Sequence, residues 1–164
     1  MTRSLNSVGL ILLVVLNVSG TLFFLLREDP PKVVINEYLA HNVSCCPDSG
    51  NEYDDWIEIH NYGEASVDIG GMYLSQDKDN LTHHMIGDGQ AELTTIPSGG
   101  YLVLWADGTP QQGVLHLSFK LDPDGEFLGL YDRHARTIDT LTFERQSPDV
   151  SMGRSPDAGK DWIP

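Results

Sequence analysis

The chain has 164 residues, a net charge of −14 at pH 7 and only two cysteines. Its first 26 residues carry no acidic side chain, whereas the remainder holds all 24 Asp and Glu against nine of the ten Lys and Arg, a net charge of −15 on that body. These figures exclude a second independent core, a disulfide-stapled scaffold, and the cationic stripe that phosphate binding requires.

Residues 8–26, VGLILLVVLNVSGTLFFLL, form a stretch of 19 without a charge. As a helix rising about 1.5 Å per residue it is long enough for a hydrocarbon layer of roughly 30 Å. Arg3 precedes it and Arg27, Glu28 and Asp29 follow, which predicts a cytoplasmic N-terminus at residues 1–7, a transmembrane signal anchor at 8–26 and an extracytoplasmic remainder. The alternative is a secreted protein cleaved near Val18-Ser19-Gly20. Such a cut leaves an apolar terminus beginning at Thr21, and the apolar run exceeds the roughly 7–15 residues of an ordinary leader, so the anchor is preferred. Residues 27–32, REDPPK, read as a linker in which Pro30 and Pro31 stop a helix.

From residue 33 onward the pattern is that of short strands. Val33–Leu39 is rich in β-branched residues, with Val33, Ile35 and Leu39 expected on one face and Val34, Asn36 and Tyr38 on the other. A polar loop at 41–54 follows. In residues 56–60, Ile57 and Ile59 alternate with Trp56, Glu58 and His60, and the turn Asn61-Tyr62-Gly63-Glu64 ends the strand. Gly70-Gly71 precedes a short strand at 72–75, a further strand is expected at 82–86, and 77–93 is otherwise a second long loop. Pro97-Ser98-Gly99-Gly100 launches the unbroken apolar run Tyr101-Leu102-Val103-Leu104-Trp105, expected to lie buried on both faces at the centre of the core. Strands at 115–119, 126–131 and 138–143 and a closing segment at 151–154 complete about nine short strands with no helical period between them, an all-β sandwich at residues 33–164.

Several segments in order carry a resemblance: Ile35-Asn36-Glu37, Asp55-Trp56-Ile57-Glu58-Ile59-His60-Asn61, Val67-Asp68-Ile69-Gly70-Gly71, Ile96-Pro97-Ser98-Gly99-Gly100-Tyr101, Gly125-Glu126 and Ser151-Met152-Gly153-Arg154. In these the sequence, from about Val33 to Trp162, resembles the lamin-tail domain family in its bacterial exported form. The resemblance implies an immunoglobulin-like β-sandwich that serves as an accessory or interaction module, often beside nucleases, phosphatases or spore-coat kinase-like domains, with no catalytic residue of its own. It also implies architectural roles: Gly70, Gly71, Gly99, Gly100 and Gly125 at turns, Trp56 and Trp105 as core anchors, and Glu37, Glu58 and Asn61 bonded to loop backbones. Many members continue past the Ser-Met-Gly-Arg segment into a further strand or another domain, whereas this sequence stops at Asp161-Trp162-Ile163-Pro164.

Chemistry-bearing motifs are sparse. There is no Gly-rich phosphate loop, no Gly-x-Ser-x-Gly elbow and no His-Glu-x-x-His, so no catalytic, cofactor-binding or metal-ligating residue is assigned. The histidines are His41, His60, His83, His84, His116 and His134, and the adjacent His83 and His84 are expected on opposite faces of a strand, unable to share a metal. Asp77-Lys78-Asp79-Asn80 and Asp122-Pro123-Asp124-Gly125-Glu126 offer oxygens for calcium but lack the EF-hand spacing, and solvated turn carboxylates are the simpler reading. Arg133, His134 and Arg136 form a small basic cluster, read as a solvated turn. Asn42-Val43-Ser44 and Asn80-Leu81-Thr82 match glycosylation acceptors. Cys45 and Cys46 are adjacent, with Cα atoms about 3.8 Å apart and below the usual disulfide separation, so they staple nothing distant. A vicinal disulfide, a bridge to another chain, free thiols and a metal pair all stay open.

The expected function is a non-enzymatic, membrane-anchored module that displays its loops at 41–54 and 77–93 to an envelope protein or polysaccharide, needing no cofactor and binding no nucleic acid. The alternative is the targeting front of a longer extracytoplasmic enzyme, hydrolase or spore-coat-kinase-like.

Overall fold

The computed structural model describes residues 11–16, 22–27 and 29–164, with side chains from residue 29 onward. The chain divides into two compact units, Met1–Pro30 and Pro31–Pro164. In the first, β1 (Ile11–Leu16) and β2 (Leu22–Arg27) pair antiparallel, from Ile11 with Arg27 to Leu16 with Leu22. The expected helix over 8–26 is therefore not seen. These pieces of it are strands, and no helix among the described residues is long and apolar enough to cross a membrane. An unbroken apolar run has no period that separates helix from strand, and Val, Ile and Phe suit a strand. The rest of that segment, and residues 1–7, lie outside the described residues.

In the second unit the strands are β3 (Val33–Leu39), β4 (Asp55–Asn61), β5 (Val67–Asp68), β6 (Tyr73–Ser75), β7 (His84–Met85), β8 (Thr95–Ile96), β9 (Tyr101–Ala106), β10 (Phe127–Tyr131), β11 (Thr137–Thr142), β12 (Met152–Ser155) and β13 (Asp161–Ile163). One helical turn, α1 (Ala91–Thr94), and a 3-10 turn at Pro110–Gln112 interrupt them. A five-stranded sheet in the order β13-β12-β3-β4-β9 and a four-stranded sheet in the order β11-β10-β6-β7, both antiparallel, make an immunoglobulin-like sandwich with a two-stranded β5-β8 ribbon at its side. Ile57, Ile59 and Leu104 of the first sheet meet Leu74, Leu128 and Leu130 of the second, all fully buried, each side chain contributing about 1.5–3 kcal/mol by leaving water.

The alternation in β3 breaks once. Ile35 pairs with Ile59 but Glu37 pairs with Glu58, so Asn36 is an extra, bulged residue. The bulge reverses the faces beyond it: Tyr38, expected opposite Val33 and Ile35, joins them in the core, and Leu39 moves to the other face of the sheet, where it pairs with Trp56 and is still fully buried. Tyr38 then stacks on Phe143 at 4.6 Å and lies 5.3 Å from the Trp162 ring. Asn36 is held in turn, its amide donating to Glu58 Oε1 and Asp157 Oδ1 and its carbonyl accepting from Ala158 N–H at 3.0 Å.

Beside the bulge, β12 pairs with β3 only at Tyr38 and Glu37. Ile35 has no ladder partner on that side, and an ion pair takes the place of one. Asp139 Oδ2 accepts Ile35 N–H at 3.0 Å, Arg154 Nε donates to Ile35 O at 2.8 Å, and the two side chains bond at 2.9 Å. Asp139 belongs to the four-stranded sheet and Arg154 to the five-stranded one, so this largely buried pair closes the open side of the sandwich.

Three expectations change. The apolar strand β9 is the edge of its sheet rather than the centre, with Tyr101 45% exposed; β3 is central. Trp56 and Trp105 are not core anchors: they form a cross-strand pair on the outer face, because Ile57 and Leu104 take the inner positions next to them. The chain's end supplies a strand after all, since β13 pairs with β12 from Gly153 to Ser155. Of the five turn glycines, Gly71, Gly99 and Gly125 have positive φ, whereas Gly70 is required by close approach, a Cβ there falling 2.9 Å from Gly87 O.

Replacing Asp139 with Asn or Arg154 with Met leaves the partner charge buried beside an unpaired strand edge. We expect a loss of about 3 kcal/mol in urea unfolding, against under about 0.5 kcal/mol for Arg145→Met, whose pair with Asp124 is exposed.

Candidate functional site

The loop at 41–54 folds over one end of the sandwich and is pinned from both sides. Asn42 donates through Nδ2 to Cys46 O and Asp54 O, both at 2.8 Å, and its backbone N–H donates to Asp55 at 2.9 Å. From the far end of the chain, Asp149 accepts the N–H groups of Val43 and Ser44 at 2.7 and 2.9 Å and the Ser44 hydroxyl at 2.8 Å. These N–H groups hold the Asp149 carboxyl below its ordinary range. Cys45 and Cys46 are joined as a vicinal disulfide at the crown of this loop. Beside it Val43 and Tyr53 stand half exposed. The Asn42 amide is thus committed to the loop's own backbone, which disfavours its use as a glycosylation acceptor.

Below the loop lies an open cavity of about 230 Å³ lined by His41, Asn42, Tyr53, Asp54, Asp55, Lys120 and neighbours. Burial, and then the charges of Asp107, Glu52 and Asp48, push the Asp54 carboxyl up; burial does the same for Asp55. Glu126 is pushed up to about 7, chiefly by burial and against the Asp122 N–H that it accepts at 2.8 Å. Carboxylate oxygens of Asp48, Glu52 and Asp54 come within 4.8 Å of one another. That cluster was not singled out in the sequence. It exists because the chain turns back at Asn51, φ 65°, with Glu52 N–H donating to Asp48 Oδ1 at 2.8 Å.

The loops considered for calcium are organised differently. Asp77 accepts Asp79 N–H and Asp122 accepts Asp124 N–H, the Asx turns that such residues make by themselves. Arg133 pairs with Asp68 of β5 at 3.0 Å, and Arg136 with Asp132 of its own turn at 2.5 Å, so both arginines of the basic cluster are paired. Among the polar residues assigned to loop bonding, Asn61 fulfils the role, its amide reaching Ala65 O, Ile96 O and Pro97 O and its carbonyl accepting Gly63 N–H. Glu58 bonds the Asn36 side chain instead.

The histidines do not converge as a group. His83 lies outside β7, exposed and stacked on Phe119, while His84 is buried with its ring edge-on to the same Phe119, so the two are not strand neighbours on opposite faces. His60 stacks on Tyr101 at 4.3 Å and donates from Nδ1 to Gly100 O at 3.1 Å. His116 is buried with Nδ1 2.6 Å from Asp107 Oδ2, and Asp107 also accepts the backbone N–H and hydroxyl of Thr109. Burial pushes Asp107 up, but these hydrogen bonds outweigh it and hold the group as a carboxylate. His84 is kept down, hence neutral, by burial and then by His83.

With that geometry in place, the comparison with protein families decides the relationship: the family model described as Lamin Tail Domain matches residues 27–145. The chain belongs to the lamin tail domain family. No curated protein and no solved structure matches it. The family is an immunoglobulin-like, non-catalytic module, in keeping with the sandwich described above. In this lamin tail domain β12 and β13 lie beyond the matched residues, although Arg154 of β12 closes the sandwich.

Glu126 gives the lamin tail domain a pH response of definite sign. Its folded carboxyl holds a proton up to about pH 7, against an ordinary value of 4.5, so the native state binds more protons between these limits and stability falls as pH rises through them. For this half-exposed group the effect is on the order of 1 kcal/mol after screening. Unfolding midpoints measured at pH 5 and pH 7.5 should differ less in Glu126→Gln than in the parent.

Proposed function

We propose that this lamin tail domain protein is a non-enzymatic display module, held on the outer side of a membrane by its N-terminal apolar segment, that presents the loops at 41–54 and 77–93 to a protein or polysaccharide of the cell envelope. The observation that carries this reading is the pinned loop at 41–54. Asn42 and Asp149 fix its backbone from opposite ends of the sequence while Val43 and Tyr53 stay half exposed. A fixed loop loses little conformational entropy on binding, and apolar groups kept in water gain by being covered. Membrane attachment is supported by the 19 uncharged residues at 8–26 and the charge of their flanks. The reading requires no cofactor, and cleavage that releases a secreted form would leave the loops unchanged.

The body's charge of −15 opposes phosphate backbones, and its few basic side chains at 133–136 are already paired. A filter-binding assay at low salt is therefore expected to retain no DNA or RNA.

The decisive experiment is capture from isolated envelopes with the full chain as bait, with and without calcium, followed by mass spectrometry. A specific protein or glycan retained by the parent and lost on Tyr53→Asp is the expected outcome. Nothing above background would favour the second reading, the targeting front of a longer extracytoplasmic enzyme, which the DNA after Pro164 would then be read to test.

A further inference from the structure

The vicinal disulfide Cys45–Cys46 is not a staple of the sandwich. It joins neighbouring residues, so it closes no stretch of chain and removes no long-range freedom from the unfolded state, which is how a disulfide ordinarily stabilises. The order of the loop around it has another source. Asn42 grips both cysteine backbones, its carbonyl accepting Cys45 N–H at 3.2 Å and its amide donating to Cys46 O at 2.8 Å, while Asp149 holds Val43 and Ser44. None of these bonds involves sulfur, so none is lost when the S–S bond opens.

The pair is also placed where another molecule reaches it. Cys45 is exposed and Cys46 partly so, and Val43, Ser44 and Pro47 on either side are exposed as well. Val43, 55% exposed, gives an approaching polypeptide apolar surface to cover that a small thiol would leave bare. Acidic groups flank the sulfurs: the Asp149 carboxylate lies against Val43 and Ser44, and Asp48 follows Cys46 by two positions. They belong to a body of net charge −15. An incoming anion is therefore opposed and an incoming cation favoured, over a screening length of roughly 8–10 Å at ordinary salt.

We infer that Cys45–Cys46 is a thiol-exchange site, which captures a partner polypeptide's cysteine, carried among basic residues, as a mixed disulfide on Cys45. The partner's thiolate attacks Cys45 Sγ and its lone pair forms the new S–S bond. The bond between Cys45 and Cys46 breaks with both electrons leaving on Cys46 Sγ, which then takes a proton from water. The incoming sulfur is oxidised and Cys46 is reduced by the same amount, so no further oxidant or reductant enters. Attack falls on Cys45 because it is the more exposed of the two. Cys46, still held beside it by Asn42, returns at high effective concentration to expel the partner, so the capture is reversible. The inference rests on the display reading and names the chemistry by which the loop at 41–54 would hold its partner.

The test incubates the full, detergent-solubilised chain, disulfide intact, with N-acetyl-Lys-Cys-Lys-amide, and separately with N-acetyl-Glu-Cys-Glu-amide and with cysteamine. Each reaction is quenched early with iodoacetamide and mapped by peptide mass spectrometry. The lysine-flanked peptide is expected on Cys45 and the alkylating label on Cys46. That adduct should form roughly threefold or more faster than the glutamate-flanked one at low salt, the two rates converging at about 1 M salt. The urea unfolding midpoint of the chain should be the same before and after reduction of the pair. Adduct only in the urea-unfolded chain, adduct with cysteamine alone, adduct mainly on Cys46, equal rates for the two peptides at low salt, or a midpoint lowered by reduction would overturn it. Envelope capture of a partner by a chain that exchanges with no thiol peptide would sink this inference and leave the display reading standing. Exchange without any envelope partner would do the reverse.

Discussion

One inserted residue governs the closing side of the sandwich. Without the bulge at Asn36, Tyr38 would face outward and Leu39 inward, and neither Phe143 nor Trp162 would have the aromatic neighbour that joins β11's end to β13. The bulge also costs β3 its regular ladder, and the chain answers with side chains. Asn36 is tied to Glu58, Asp157 and Ala158, and the exposed edge of Ile35 is satisfied by Asp139 and Arg154. An unpaired strand edge inside a protein is costly, so an ion pair that doubles as a ladder partner is a stabilising arrangement and not merely a buried charge pair. Arg154 further lies 4.6 Å over the Trp162 ring, which couples the last strand to the same network.

Two regions of the surface answer to different physics. At the end covered by the loop at 41–54, carboxylates crowd: Asp54, Asp55 and Glu126 are all pushed up by burial in the company of other acids. The protonation of such an end changes with pH. Along the open side, the cavity near His84 and His116 has no formal charge in its lining and a predominantly apolar wall. The two regions thus differ in charge within one acidic body.

The loops owe their order to residues far away in sequence. Asp149 reaches back more than a hundred positions to the N–H groups of Val43 and Ser44, and Asn61 gathers the carbonyls of Ala65, Ile96 and Pro97 into one buried corner. Both act as substitutes for backbone partners, Asp149 at the surface and Asn61 in the interior, where a satisfied amide can lie among apolar side chains.

The sequence by itself determined the elements with clean two-residue periods. β4, with Ile57 and Ile59 inward, and the span of β3 were legible because alternation alone specifies a half-buried strand. Acidity, the absence of catalytic motifs and the family were also readable there. Tertiary structure alone decided what periodicity cannot encode. The bulge at Asn36 shifts a register without changing composition; β9 is an edge because of strand order, although its apolar residues suit a centre; Trp56 and Trp105 face outward because smaller neighbours fill the core. The same holds for the candidate sites. Val43 and Tyr53 lay in a loop already singled out, but the pinning by Asp149 and the Ser118 N–H bonded to His84 come from distant segments, and the acidic trio at Asp48, Glu52 and Asp54 from a left-handed turn at Asn51 that alternation does not reveal. A one-dimensional pattern records which face a residue prefers, whereas hydrogen-bond partners and proton positions are set by what the folded chain brings alongside.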